Sequence, residues 1–159
     1  MSRFGMTPVA DRHGFIVVYP NAIDKHWNDG RTAKIFAEHD AKIDDVAFIK
    51  AVVDRVKREY RIDENRVFAT GASNGGFMSQ RLAIELPEIF SAVGIVIASM
   101  GEPLSRDFAP KLPVSVLYMN GTTDPPYGTS GSVGPVIYRT GRRTRRRRGP
   151  AGPAAAGVD

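Results

Sequence analysis

The chain has 159 residues, of which 42% are hydrophobic and 25% charged, so its length and composition suit one globular domain with a sizeable core. It has no cysteine, which excludes disulfides and thiolate metal sites, and its 3 histidines are too few and too scattered along the sequence to suggest a zinc site. The net charge of +5 is local, because residues 138–159 hold 7 arginines and 1 aspartate and leave −1 for the rest.

The first third of the chain predicts one strand and otherwise little regular structure. Residues 1–14 contain no apolar stretch of the kind found in a signal peptide, so the sequence leaves the localisation open. Residues 14–20, GFIVVYP, predict a buried strand that ends at Pro20. Residues 21–43 look irregular and include the single tryptophan, Trp27.

A helix is predicted over residues 44–60. Asp44 suits the N-cap position, and Asp45 places a negative charge at the positive end of the helix dipole. Apolar residues then recur at i, i+3, i+4 and i+7, which predicts one buried face. This face consists of Ile49, Val52, Val53 and Val56.

The middle of the chain alternates short apolar strands with a helix. Strands are predicted over residues 66–70, 91–99 and 113–120, and a helix over residues 74–86. Such alternation is typical of an α/β fold, with a mainly parallel sheet covered by helices on both faces. The longest apolar run lies within residues 91–99 and is far too short to cross a bilayer, so we expect no membrane partner.

Residues 69–76, ATGASNGG, place Ser73 in a G-x-S-x-G pattern between a predicted strand and a predicted helix. A serine hydroxyl becomes a nucleophile when a base removes its proton, and a sharp strand-to-helix turn exposes it. Glycines two positions before and two after the serine let strand and helix approach closely. The backbone N–H of Asn74 then points to where an oxyanion forms. The competing interpretation is a plain glycine-rich turn.

Asp124 lies just after the predicted strand 113–120. In a parallel sheet this position shares the carboxyl edge with Ser73, and catalytic groups collect at that edge. In the chain order Ser, then Asp, the aspartate orients a histidine that acts as the base. The alternative is an Asp-Pro turn without a catalytic role.

The composition changes after residue 134. Residues 135–159 are rich in Arg, Gly, Pro and Ala and predict a disordered tail, so the globular domain is expected to span residues 1–134. An arginine run neutralises phosphates without reading their sequence. No aromatic residue interleaves with this run, however, so nucleic-acid binding is the least favoured function.

Three segments are similar to a known family: ADRHGFIVVYPNAIDKHWNDG, DDVAFIKAVVDRVKREYRIDENRVFATGASNGGFMSQRLAIELPEIFSAVG and PVSVLYMNGTTDPPYG. From about residue 9 to about residue 134, the chain resembles the polyhydroxybutyrate depolymerase and feruloyl-esterase family of α/β hydrolases, which are often secreted. The resemblance implies Ser73 as nucleophile, Asp124 as triad acid and the Asn74 N–H as oxyanion donor, with no cofactor. Trp27 resembles a Trp-Asn segment near the family's substrate, although it equally suits a tryptophan that covers apolar loop surface.

Two parts of the family pattern are absent. The triad order requires a histidine after Asp124, but none follows His39. The family's strand with a His-Gly oxyanion loop, which precedes the segment resembling residues 14–20, has no counterpart either. An inner strand and the C-terminal histidine segment are therefore expected to be missing from a partial α/β-hydrolase fold. A frame slip after about residue 134 and an internal start at Met1 would explain both losses.

Three functions follow from these observations. The first is a serine carboxylesterase of impaired activity, acting on a feruloyl, short-acyl or hydroxyalkanoate ester; the second is an inactive fragment; the third is the nucleic-acid binder. The base for Ser73 would have to be His13, His26 or His39. His26 is preferred because it adjoins Trp27 after a predicted strand end, although an exposed loop histidine without a role is the competing interpretation. The oligomeric state stays open.

Overall fold

The computed structural model describes a large part of the chain, and within it a small α/β unit. The described ranges are residues 5–31, 36–101, 104–105 and 111–121, so Asp124 and the predicted tail lie outside them. In chain order the elements are α1 (Met6–His13), a 3-10 turn (Ile23–Lys25), α2 (Ala37–Asp40), α3 (Asp45–Glu59), a second 3-10 turn (Glu64–Arg66), β1 (Phe68–Ala72), α4 (Asn74–Glu85), β2 (Ala92–Val96) and β3 (Ser115–Met119).

The strands form one parallel sheet in the order β1-β2-β3. Phe68 of β1 lies opposite Ala92 of β2, which lies opposite Ser115 of β3, so the strands begin in register. Their carboxyl ends therefore share one edge of the sheet, at which Ser73 follows β1. The parallel α/β architecture expected from the sequence is confirmed for this part of the chain.

Helix α4 lies between the sheet and α3 and contributes to both apolar clusters. The cluster on the sheet side includes Phe77 of α4 and Ile95 of β2, which are 1% and 0% exposed. Burying side chains of this size contributes about 1.5–3 kcal/mol each. The cluster on the far side joins α4 to α3 and comprises Val46, Ile49, Met78, Leu82, Ile89 and Phe90.

The described residues cover only one face of the sheet. Ala69 and Tyr118 pack toward the core, whereas Phe68, Leu117 and Met119 alternate with them and are 60%, 46% and 47% exposed. The expectation of helices on both faces is therefore wrong within the described ranges. An apolar strand sequence shows that a strand is suited to burial, but it does not show whether an element packs on each face.

Residues 14–20 do not form the predicted buried strand. Among the described strands none pairs with them, and Phe15, Ile16, Val18 and Tyr19 are 43%, 48%, 45% and 39% exposed. A strand requires a neighbour whose backbone groups complete its ladder, and an apolar sequence alone does not supply one. The prediction fails for that reason.

Helix α3 confirms the predicted helix, with an additional role for its first residue. The Ala47 N–H donates a hydrogen bond of 2.9 Å to the Asp44 side chain, as expected of an N-cap. The sequence predicts only a dipole interaction for Asp45, but this carboxylate is 3% exposed and accepts a hydrogen bond of 2.7 Å from the Asn28 N–H. Asp45 therefore fixes the preceding loop as well as the helix start.

Helix α1 has no counterpart among the sequence-based predictions. It ends at Gly14, whose φ of 67° is the left-handed conformation common at helix ends, and the Gly14 N–H donates to the Ala10 carbonyl. Of the helices in the described ranges, none has the length and apolar character needed to span a membrane.

Two glycines allow α4 to pack tightly against the strands at the serine turn. A Cβ at Gly71 would lie 2.3 Å from the Gly75 carbonyl carbon, and one at Gly76 would lie 2.8 Å from the Ala98 Cβ. A Cβ at Gly75 would meet nothing within 4 Å. The close approach predicted from G-x-S-x-G thus depends on Gly71 and Gly76, whereas the second glycine of the pattern has room for a side chain.

We expect Gly71→Ala and Gly75→Ala to have opposite effects on stability. The first forces strand and helix apart and should lower the free energy of unfolding by about 1–3 kcal/mol. The second replaces a helical glycine in open space and should leave stability unchanged or raise it by up to about 1 kcal/mol. Urea denaturation of the two variants measures the difference, and equal losses would contradict the packing described here.

Candidate active site

Ser73 occupies a strained turn at the carboxyl edge of the sheet. Its φ of 53° and ψ of −122° lie outside the regions that non-glycine residues normally adopt, which costs about 1–3 kcal/mol. The Ser73 N–H donates to the Val96 carbonyl at 2.9 Å, and its own carbonyl accepts from the Gly76 and Phe77 N–H groups. The residue is exposed, and its side chain makes no capping hydrogen bond to α4. The backbone is thus fixed while the hydroxyl remains available.

Asn74 begins α4 and connects it to the preceding loop. Its side-chain oxygen accepts from the Trp27 N–H at 2.7 Å, and its amide nitrogen donates to the Trp27 carbonyl at 2.9 Å. The Asn74 backbone N–H belongs to the first helical turn, where N–H groups have no partner within the helix. Nothing in the described part of the chain accepts a hydrogen bond from it. Its position at a helix start suits an oxyanion donor.

The Asn74 side chain is hydrogen-bonded to a buried carboxylate. Asp29 is 1% exposed and accepts a hydrogen bond of 2.6 Å from the Asn74 side chain. The Arg31 guanidinium donates to both oxygens of Asp29 and lies 3.9 Å above the Phe77 ring. No pattern in the sequence identified the pair of Asp29 and Arg31. The acidic and basic residues two positions apart are a weak signal, because spacing in a loop does not reveal burial.

The loop has a second set of anchors at Asn28. Its N–H donates to Asp45, and its carbonyl and side-chain oxygens both accept from Arg81 at 2.8 Å. Its side-chain amide donates to the carbonyl groups of Asp40 and Ile43 at 2.8 Å. Asn28 belongs to the Trp-Asn segment noted in the sequence, but neither its contacts nor the role of Arg81 was recognisable from sequence patterns. These bonds satisfy the backbone of a loop that has no strand partner.

Trp27 lies between these anchors with its side chain turned toward apolar residues. The ring packs against the cluster shared by α3 and α4 and stacks on Phe48 at a centroid distance of 6.4 Å. The residue is half-buried. Its backbone is thus adjacent to the serine turn through Asn74, and its role in substrate binding stays a prediction.

His26 is placed among aromatic and acidic side chains. Its side chain is 12% exposed, and its ring stacks on Phe36 with 3.7 Å between centroids. Its Nε2 lies 3.3 Å from an oxygen of Asp40. Within the described ranges, no hydrogen bond joins His26 to Ser73. The proposal that His26 is the base stays a prediction, although the ring is less exposed than an ordinary loop histidine.

Two of the three histidines lie side by side. The His39 ring contacts the His26 ring edge-on at 5.0 Å, and its Nδ1 is 3.0 Å from the same Asp40 oxygen. The hydrogen bond to Asp40, above all, raises the pKa of His39 above its ordinary value. His13 ends α1 and is exposed. The sequence spacing, from which the histidines were judged too scattered, is therefore misleading for this pair.

Asp124 lies outside the described residues, and its place beside Ser73 stays a prediction. Strand β3 ends at Met119, at the same sheet edge as the serine turn. The following residue, Asn120, holds this edge together, because its side chain accepts from the Ala98 N–H at 3.1 Å and donates to the Ala98 carbonyl at 2.9 Å. The chain therefore leaves β3 at the sheet edge that carries Ser73, which is the edge at which the sequence predicts Asp124.

Comparison with known proteins gives one family. The profile of the family described as Esterase PHB depolymerase matches residues 3–107, which is more than half of the chain. The putative esterase NocK of Nocardia uniformis is 32% identical over 122 residues, which cover 76% of this chain and 34% of that protein. Feruloyl esterase B of Neurospora crassa is 33% identical over 85 residues, covering 52% of this chain and 28% of that protein.

A bacterial polymer-degrading enzyme is similar as well. The poly(3-hydroxybutyrate) depolymerase of Ralstonia pickettii is 30% identical over 94 residues, covering 58% of this chain and 19% of that enzyme. The chain thus spans about a third or less of the length of these curated relatives. The match of the family profile includes the serine turn, the loop that Asn74 holds and the helices behind them, and the chain belongs to the Esterase PHB depolymerase family.

Proposed function

We propose that this chain acts on carboxylic esters with Ser73 as the nucleophile. The observation that supports this most is the backbone of Ser73, which is held in a costly left-handed conformation at a strand-to-helix turn. A plain turn would place glycine there, because glycine adopts positive φ without that cost. A strained and exposed serine favours a role for its hydroxyl.

In the proposed reaction, the Ser73 Oγ attacks the carbonyl carbon of the ester as a base removes its proton. The carbonyl oxygen becomes an oxyanion and accepts a hydrogen bond from the Asn74 backbone N–H, aided by the positive end of α4. The oxyanion then re-forms the carbonyl, and the alcohol leaves with the proton that the base returns. Water hydrolyses the acyl-serine by the same steps and releases the acid.

The proposed reaction also requires a base and a carboxylate that acts with it. His26 is the proposed base, and Asp124 the carboxylate that orients and balances a protonated histidine. Because His26 makes no described contact with Ser73, this role requires a movement of the loop or of the ring. We therefore propose that activity is impaired, and an inactive fragment is the second candidate.

Asp29 and Arg31 are proposed to act through Asn74 rather than on the substrate. The carboxylate fixes the Asn74 amide, the amide fixes the Trp27 backbone, and both hold the start of α4 beside Ser73. A fixed donor costs no reorganisation when charge develops on the substrate. Relatives named feruloyl esterase, acetylxylan esterase and poly(3-hydroxybutyrate) depolymerase support feruloyl, short-acyl or hydroxyalkanoate esters as the substrate class.

We expect very weak or no hydrolysis of p-nitrophenyl butyrate by the purified 159-residue chain, and complete loss of any turnover in Ser73→Ala. Loss of the base leaves at most about 10³–10⁴-fold acceleration over water, from the oxyanion donors and binding. His26→Ala should abolish what activity exists, and His13→Ala should not. Robust turnover that Ser73→Ala removes and His26→Ala leaves unchanged would refute both the proposed base and the impairment.

The cost of the serine conformation is measurable as stability. Ser73→Gly relieves the positive φ, whereas Ser73→Ala keeps it, and both remove the hydroxyl. We expect the glycine variant to be more stable than the alanine variant by about 1 kcal/mol, after the higher entropy of unfolded glycine is subtracted. Thermal unfolding of the pair provides the measurement. A more stable alanine variant would show that the turn is not strained.

Asp29→Asn should destabilise the chain by about 2–3 kcal/mol, because it leaves the Arg31 charge without its carboxylate. The estimate is at the low end because Arg31 keeps 25% of its side chain exposed. Asp11, which is exposed on α1, provides the matched control, and Asp11→Asn should change stability by less than about 0.5 kcal/mol. Urea denaturation compares the two, and similar small effects would argue against a buried ion pair.

A further inference from the structure

A compact cluster of His26, His39 and Asp40 lies beside the loop that carries Trp27. Their potential ligand atoms all lie within 4.8 Å of one another. His26 belongs to the loop that follows the first 3-10 turn, and His39 and Asp40 belong to α2, so the cluster bridges two segments. The reaction proposed above uses neither His39 nor Asp40, and His26 cannot act as its base while it is bound to a metal ion, so the two roles of His26 are alternatives.

The two distances from Asp40 to the histidine nitrogens fit ligands of one metal ion. Ligands bound tetrahedrally to zinc at about 2.0–2.1 Å are separated by about 3.3 Å. The Asp40 oxygen lies 3.3 Å from the His26 Nε2 and 3.0 Å from the His39 Nδ1. One carboxylate oxygen thus faces two imidazole nitrogens at the separation that a shared zinc ion produces.

The contacts of His39 indicate which of its nitrogens is the ligand. Its Nε2 lies 3.3 Å from the carbonyl of Ile23, which only accepts hydrogen bonds, so this nitrogen carries a proton. The Nδ1 faces the Asp40 oxygen at hydrogen-bond distance, and a metal ion would take the place of the proton between them. A metal-bound histidine typically donates its second N–H to a carbonyl or carboxylate, as here.

The surroundings of His26 favour a metal site over a simple ion pair. Its Nε2 is buried and has no hydrogen-bond partner in the described part of the chain, although the Asp40 oxygen is 3.3 Å away. Proximity without hydrogen-bond geometry is expected of two ligands, whose lone pairs converge on an ion rather than on each other. The stacked Phe36 ring holds the imidazole from one side. The three side chains keep 12–16% of their surface exposed, so an ion can enter.

We propose that His26, His39 and Asp40 bind a divalent transition metal of the zinc type, with water as the fourth ligand. Two imidazoles and one carboxylate suit zinc, whereas magnesium and calcium prefer oxygen ligands throughout. The bound ion connects the loop to α2. It thereby holds the loop whose Trp27 backbone bonds to Asn74, and its role is structural.

The test uses the full-length chain, stripped with a chelator and then dialysed. Titration with ZnCl₂, followed by calorimetry, should show saturable binding of one ion per chain, and MgCl₂ should show none. In ¹⁵N spectra of the histidine rings, zinc should shift the His26 Nε2 and the His39 Nδ1 but leave His13 unchanged. The wild-type spectra answer the question even if a variant fails to fold.

Variants assign the ligands. His26→Gln and His39→Gln should each weaken zinc binding by at least about tenfold, and the matched control His13→Gln should not. Ser73→Ala should bind zinc as the wild type does, which keeps this result separate from that of the esterase assay. If zinc shifts neither ring, or if all three histidine variants bind equally, the cluster is an ion pair only and the proposal is overturned.

Discussion

The arrangement around Ser73 depends on the Asn74 side chain. This amide both accepts from and donates to the backbone of Trp27, so it replaces the strand partner that the loop lacks. The same amide donates to Asp29, whose charge Arg31 balances. A single residue next to the proposed nucleophile therefore fixes the start of α4 and the loop above it. Removing the amide would leave the Trp27 backbone N–H and carbonyl unpaired and would take one hydrogen bond from the buried Asp29, which is costly.

The ion pair of Asp29 and Arg31 next to Asn74 has a physical reason. Within the described ranges no strand pairs with the loop, so its polar groups require other partners, and the side chains of Asn74, Asp45 and Arg81 bond to them. A carboxylate accepts several hydrogen bonds at once and is stronger as an acceptor than a neutral group. Asp29 uses this capacity for Asn74 and Arg31, while Arg31 covers the Phe77 ring of the core. The polar support and the apolar core therefore meet at α4.

The features that the sequence predicted are local. The periodicity of α3, the cap at Asp44, the strands of the sheet and the turn at Ser73 depend on residues near one another in the chain. Each is present, although β1 begins and ends two residues later than predicted. The strand at residues 14–20 was wrong because pairing needs a distant partner. The sequence pattern pointed to Gly75 as a site of close contact, but the structure has this contact at Gly76. The pattern does not show which of the two glycines has its Cα hydrogen directed at the sheet.

The site was less predictable than the fold for the same reason. Asp29, Asn28 and Arg81 become important only when a loop meets a helix some 45 to 53 residues further along the chain. Neither charge nor spacing marks such residues in advance. The pairing of His26 with His39 is of the same kind, because the two residues lie 13 positions apart in the sequence. Ser73 was recognisable because the pattern around it is local, and one of its glycines, Gly71, is required by the close approach of strand and helix.

The loop around Trp27 has two anchors that depend on different chemistry. On one side, Asn74 and Asp29 hold it through buried hydrogen bonds, which salt screens little. On the other side, His26 lies beside His39 and Asp40, the cluster for which we propose a metal ion. Both anchors act on one short loop, so an ion bound at the second would restrain the loop whose backbone Asn74 holds.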